Sequence, residues 1–143
     1  MAVLSPRGYC SSEAQLTRQR FDAAEATLRQ LQAIKLDPKL AWRREFLLCR
    51  ALLGGGRAAP ALETSSNLLV LARTLGQPVP QAQSIALHAA ALEELGQLDS
   101  AAATYTSNLV ADVQPDFQRQ AALKIGELAL VRGRLEEAAN EVA

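Results

Sequence analysis

The chain predicts an all-α fold, an α-solenoid of about three to four stacked antiparallel helical hairpins. Three observations carry this. Of its 143 residues 49% are hydrophobic but only 4% aromatic, most of the apolar content being Ala and Leu. Ala lets helix backbones approach and Leu fills the seams between them, while runs of Val, Ile, Thr and aromatics that would favour strands are missing. A short phrase recurs through the chain at nearly constant spacing. Helix caps and stops fall at the same spacing.

The recurring phrase is a turn, two or three polar residues, then a small residue opening a helix. It reads Gln19-Arg20-Phe21-Asp22-Ala23-Ala24, Gly56-Arg57-Ala58-Ala59-Pro60-Ala61, Gly96-Gln97-Leu98-Asp99-Ser100-Ala101 and Gly133-Arg134-Leu135-Glu136-Glu137-Ala138, with offsets of 37, 40 and 37. Such a period signals stacked helical hairpins.

The elements follow in order. Ser12 to Lys35 is either one long helix or a short hairpin turning near Gln19. Asp37-Pro38, a cap with Pro at the first helical position, opens a helix over residues 38–53 that Gly54-Gly55-Gly56 stops. The next runs from Ala58 to Leu75 and ends at Gly76, with Pro78 and Pro80 in the linker. Helices over Pro80–Leu95 and Leu98–Val113 meet at Gly96. Another spans Asp116–Val131, closed by Gly133, and the last begins near Leu135. Leu87, Ala91, Leu92 and Leu95 make one apolar stripe; Leu123, Ile125, Leu128, Ala129 and Leu130 thicken another. Repeats are expected at about 5–37, 38–77, 78–114 and 115–143, in one domain without a dividing linker.

At this phrase the chain resembles the tetratricopeptide-repeat family. That pattern has a small residue in mid first helix, Gly at the turn, Ala early in the second helix, an aromatic four residues later and a closing Pro. Ala89, Gly96, Ala101, Tyr105 and Pro115 stand at or near those places, as do Gly126, Gly133 and Ala138. The offsets exceed the family's usual repeat, Ser65 stands where an aromatic belongs, Trp42 falls one turn early, and the first copy has Gln19 for Gly and Leu28 for the aromatic. The resemblance implies a right-handed superhelix whose first helices line a concave, protein-binding face. Some members grip a C-terminal carboxylate with Lys and Asn there; the matching positions here hold neither, so that specificity is not implied.

Composition narrows the function classes. Net charge is zero, with no basic surplus of the kind nucleic-acid binders show and no helix-turn-helix reading. Charge is nonetheless segregated, net +5 over residues 1–73 and −5 over 74–143. Cys10 and Cys49 form no CxxC pair and read as reduced thiols, Cys49 as a small buried hydrophobe. No apolar run spans a bilayer, so no membrane insertion is expected. The first residues have no signal-peptide core, so a cytoplasmic protein is expected, or a periplasmic one if the chain is an excerpt, as the uncapped helix at Leu135–Ala143 would suit. The Ala/Leu/Gln-rich composition is bacterial in style.

Nothing in the sequence assembles a catalytic constellation or a cofactor site. His88 is the only histidine and falls on a packing side, and no second His or Cys lies at metal-ligand spacing. Gly54-Gly55-Gly56-Arg57 lacks the Gly-Lys-Ser/Thr ending of a phosphate loop and follows a helix. Glu93-Glu94 and Glu136-Glu137 are adjacent pairs pointing to different helix sides. The expectation is therefore a non-enzymatic scaffold for a protein or peptide partner. By register the groove-facing residues are Arg43, Phe46, Arg50, Gln83, Ala86, Ala90, Glu93, Gln120, Leu123, Glu127 and Leu130. Phe46 between two arginines suits a binding hot spot, yet the spacing Trp42–Phe46–Cys49–Leu53 equally describes a core stripe. The alternative is a self-associating module, a homo-oligomer joined at an uncapped apolar end, or one repeat segment of a larger complex subunit.

Overall fold

The computed structural model describes residues 6–31, 34–110 and 112–142, with side chains from Arg18 to Asn140 apart from position 138 and those breaks. They form six helices, α1 (Pro6–Gln30), α2 (Pro38–Gly54), α3 (Ala58–Leu75), α4 (Pro78–Glu94), α5 (Leu98–Thr106) and α6 (Pro115–Val142), with no strand among the described residues. Each helix packs on its neighbours in sequence, and α2 also touches α4, which touches α6. The even-numbered helices thus share one layer.

The internal repeat is visible bond by bond. At the end of α2, Gly55 N–H donates to Ala51 O, Gly56 N–H to Leu53 O and Arg57 N–H to Leu52 O. At the end of α4, Leu95 donates to Ala91 O, Gly96 to Glu93 O and Gln97 to Leu92 O, every partner displaced by 40 residues. Gly56 and Gly96 carry φ of 77° and 79°, a left-handed turn that a Cβ resists. Immediately after each turn, Ala61 and Ala101 are fully buried, where any longer side chain would push the paired helices apart. The helix starts repeat too: Pro38 and Pro78 each sit in the first turn, and Asp37 Oδ1 accepts from Leu40 N–H at 2.8 Å.

Three buried clusters run along the molecule. Trp42, Leu68 and Ala72 form one; Leu48, Cys49, Leu52, Ala61 and Ala91 form the second; Ala89, Leu92, Ala101, Tyr105, Ala121 and Leu128 form the third. Each fully buried Leu contributes about 1.5–3 kcal/mol of transfer free energy. Each cluster reaches beyond one hairpin, since Leu87 of α4 packs on the first, the second joins α2, α3 and α4, and the third joins α4, α5 and α6, so stacking makes the core.

The elements depart from expectation in four places. α1 passes straight through Gln19, so the long-helix alternative is the observed one. α4 starts at Pro78, not Pro80. α5 stops at Thr106 rather than Val113 because the chain tightens into i→i+3 bonds from Ser107, Asn108 and Leu109, and Asn108 is drawn inward to donate to Ala82 O at 3.0 Å. α6 runs through Gly133 without a turn. Gly133 does not adopt a positive φ, and the Arg-Leu-Glu-Glu-Ala-Ala that follows is a strong helix-forming run. Two complete hairpins, α2/α3 and α4/α5, are therefore flanked by two long single helices of 25 and 28 residues. The reading of Cys10 as a reduced thiol lies outside the described side chains.

Candidate interaction surface

The even-helix layer presents repeat-equivalent positions in rows. Arg43, Gln83 and Gln120 form the first row, Phe46, Ala86 and Leu123 the second, Arg50, Ala90 and Glu127 the third, and Leu53, Glu93 and Leu130 the fourth, spaced by 40 and then 37 residues. None is buried: Arg43, Arg50, Gln120, Leu123, Glu127 and Leu130 are exposed, and Phe46, Gln83, Ala86, Ala90 and Glu93 half-buried. The third row changes sign along the layer, from Arg50 through neutral Ala90 to Glu127.

Phe46 carries both of its expected characters. Its ring stacks on the buried Trp42, centroids 5.0 Å apart at 23°, and packs against the first cluster. Its outer side meets Arg50, whose guanidinium lies 5.8 Å from the ring centroid. Glu93 is already engaged, accepting from Tyr105 Oη at 3.3 Å and lying 3.7 Å from Lys124 Nζ, which stands equally far from Glu127. Burial, and then the Glu93 charge, raise the Tyr105 pKa well above its usual range. Lys124, Tyr105 and the two glutamates make a network that helical spacing alone does not signal, since it joins three elements.

Beside this face, α1 and α2 leave an apolar groove of about 690 Å³, lined by Phe21, Ala24, Leu28, Leu47, Ala51 and Gly54 among others, with Arg50 on its wall. The Phe21 ring lies over Gly54 so closely that a Cβ there would collide with it. Glu25 ties α1 to Arg57 on the α2–α3 turn, and also pairs with Arg29 on its own helix at 2.9 Å. Burial alone would raise the Glu25 pKa, but the two guanidinium partners lower it overall. The spacings Phe21–Ala24–Leu28 and Leu47–Ala51–Gly54 each mark one helix face, but spacing alone does not say that the two faces meet.

No protein-family model, curated protein or solved structure matches the chain. The chemistry of the surface therefore rests on the residues alone.

On the opposite side, α4 floors a cleft between α3 and α5 of about 390 Å³, lined by Leu69, Ile85, His88, Ala103, Thr104 and Ser107 together with Ala72, Arg73 and Gln81. Forty residues earlier, Arg29, Glu45, Leu48, Glu63, Thr64 and Asn67 line the same cleft on α2, with about 170 Å³. The first copy is charged and tight; the second is wider and carries His88 where the first has Leu48. His88 Nδ1 pairs with Ser65 Oγ at 2.8 Å, and burial lowers its pKa. Cys49 is buried beneath the turn that follows it, its Sγ 3.5 Å from Ala61 O, and burial pushes its pKa up to about 12, far from the nucleophilic thiolate. Among the described residues no group of three or more His, Cys, Asp or Glu stands together to hold a metal ion, and no helix is long and apolar enough to cross a membrane.

Proposed function

We propose that the chain is a non-catalytic binding scaffold of tetratricopeptide-like α-solenoid build, holding a peptide or protein segment across the face of α2, α4 and α6. One observation carries the reading: the repeat-equivalent rows leave Arg43, Phe46, Arg50, Gln120, Leu123 and Glu127 accessible on one layer, graded from basic to acidic. An aromatic ring braced on its inner side by Trp42 and flanked by arginine is pre-organised for contact, so little side-chain entropy is lost on binding. The charge gradient would orient the bound segment, its acidic end toward Arg43 and Arg50 and its basic end toward Glu127. The polar groups elsewhere support a structural role. His88 is tied to Ser65, Glu93 to Tyr105 and Lys124, and Cys49 is buried and protonated.

The test is a partner isolated by crosslinking, then titrated calorimetrically against variants on both sides of the molecule. Arg43→Glu and Phe46→Ala should each weaken binding by about tenfold or more, while Glu63→Arg and Asn67→Ala on the cleft side leave it unchanged. Weakening confined to the cleft-side variants would place the partner elsewhere and end this reading.

A further inference from the structure

We infer that a second copy of this chain docks its α6 into the α1/α2 groove, continuing the helical stack head to tail. The inference does not depend on the partner-binding reading above; it comes from the register of the internal repeat. Within the molecule, α2 covers the groove between α3 and α4, where Cys49, Leu52 and Leu53 meet Ala61, Leu62, Leu87 and Ala91. The α1/α2 groove is the same feature one repeat earlier: Ala24 corresponds to Ala61, Leu47 to Leu87 and Ala51 to Ala91. No described helix covers it. An α-helix presenting small and apolar residues is the shape it accepts.

The other end of the molecule offers that helix. α6 corresponds in register to α2, and the positions matching Cys49, Leu52 and Leu53 are Gly126, Ala129 and Leu130. Leu123 and Leu130 on this face are 69% and 66% exposed, more than any other large apolar side chain described. A Cβ at Gly126 would meet nothing within 4 Å, so this face has no neighbour among the described residues.

Charge agrees with the geometry. The groove belongs to the half of the chain with net +5 and α6 to the half with net −5. The exposed Arg50 on the groove wall and the exposed Glu127 beside Leu123 and Leu130 are repeat-equivalent, so a stacked copy would make them neighbours in one layer. The terminal helices fit as well. Phe21 lies over Gly54, and Arg132 pairs with Asp99 at 2.8 Å, so both helices reach the level of the hairpin turns there. Each then continues past that level, α1 from Arg20 back to Pro6 and α6 from Gly133 on to Val142. In a stacked pair those overhangs lie side by side. The interface is heterologous: one copy gives its α6, the other its groove, and both retain a free end.

Two variants separate this from other modes of association. Leu47→Glu places a charge in the groove and Leu130→Glu one on α6, both at exposed positions that leave the core intact. Wild type, followed by light scattering across concentration, should exceed the 15.3 kDa monomer and grow beyond a dimer, less so at high salt. Each variant alone should stay a monomer, with unchanged helical circular dichroism. Mixed in equal amounts they should recover a species of twice the monomer mass, because one retains a working groove and the other a working α6. Arg50→Glu should weaken assembly at least tenfold, and adding Glu127→Arg should restore it. A monomeric wild type at all concentrations would overturn the proposal and leave the groove for a different helix. Assembly of the Leu130→Glu variant by itself, or a mixture that remains monomeric, would overturn it equally by showing a two-fold interface or none through these faces.

Discussion

The indole Nε1 of Trp42 donates to Ser84 Oγ across 2.9 Å, and that hydroxyl in turn donates to Pro80 O at 2.7 Å. Both side chains are buried, so the bond ties α2 to α4 inside the core, where the α2/α3 hairpin hands over to α4/α5. Ser84→Ala removes the acceptor and strands a buried N–H, which costs about 1–3 kcal/mol. Urea unfolding followed by the emission of this single tryptophan should show a lower midpoint with unchanged slope. An unchanged midpoint would mean that water reaches the indole and that the bond between the repeats is dispensable.

The second cleft carries a pH dependence. Burial lowers the His88 pKa, so between its folded value and the unfolded value near 6.5 the unfolded chain binds more protons. Stability from this group is therefore full above about pH 6.5 and declines as pH falls through that window. His88→Leu removes the titration and places in the cleft the residue that the α2/α3 hairpin already has as Leu48. At pH 8 the variant lacks the Ser65 hydrogen bond and should be less stable than wild type by about 0.5–1.5 kcal/mol, the Ser65 hydroxyl keeping Leu62 O as its acceptor. At pH 5 it should be the more stable of the two. Parallel melting curves at the two pH values check the crossing, and a constant offset would show that His88 is not the group responsible.

Gly54 is where α1 approaches most closely. With the Phe21 ring lying over its backbone, Gly54→Ala must displace that ring, and overpacking of this kind costs about 1–3 kcal/mol. The loss should fall on α1 first, because α1 is an end helix that packs on α2, through Phe21 over Gly54, Leu28 on the second cluster and the Glu25–Arg57 ion pair. Hydrogen exchange should therefore quicken in residues 18–30 while α3 and α4 remain protected. Combining Gly54→Ala with Phe21→Leu should recover part of the protection. Uniform loss across all helices would mean that α1 is no separable unit.

Legibility divided along the line between local and tertiary causes. The boundaries of α2 and α3 were readable because Asp37-Pro38, Gly56 and Gly76 act through their own φ angles and caps. The period was readable because Ala61 and Ala101 must be small at every hairpin. α5 was overextended because its end is set by Asn108 reaching Ala82 O, a contact between elements 26 residues apart in sequence. Among the interface candidates, register placed Arg43, Gln120, Leu123 and Glu127 on an accessible face, since helical periodicity fixes faces. It did not reveal that Glu93 is already bound by Tyr105 and Lys124, nor the α1/α2 groove, because both require knowing which helices are neighbours.

Gly96 and Gly133 hold the same place in the recurring phrase yet occupy opposite conformations, and substitution by Ala should separate them. Gly96 sits at φ 79° in a tight turn, so a Cβ there is strained by about 1–2 kcal/mol. Gly133 lies inside α6 with no positive φ, and a Cβ would meet nothing within 4 Å. Gly133→Ala should therefore stabilise by about 0.5–1 kcal/mol, through greater helix propensity and a less flexible unfolded chain. The pair is read by thermal melting together with helical circular dichroism. If Gly133→Ala destabilised like Gly96→Ala, the chain would turn at Gly133 and close a third hairpin, and the continuous α6 would be wrong. A rise in stability, with helicity at least that of wild type, fixes α6 as one rod and leaves the face around Leu130 open along its length.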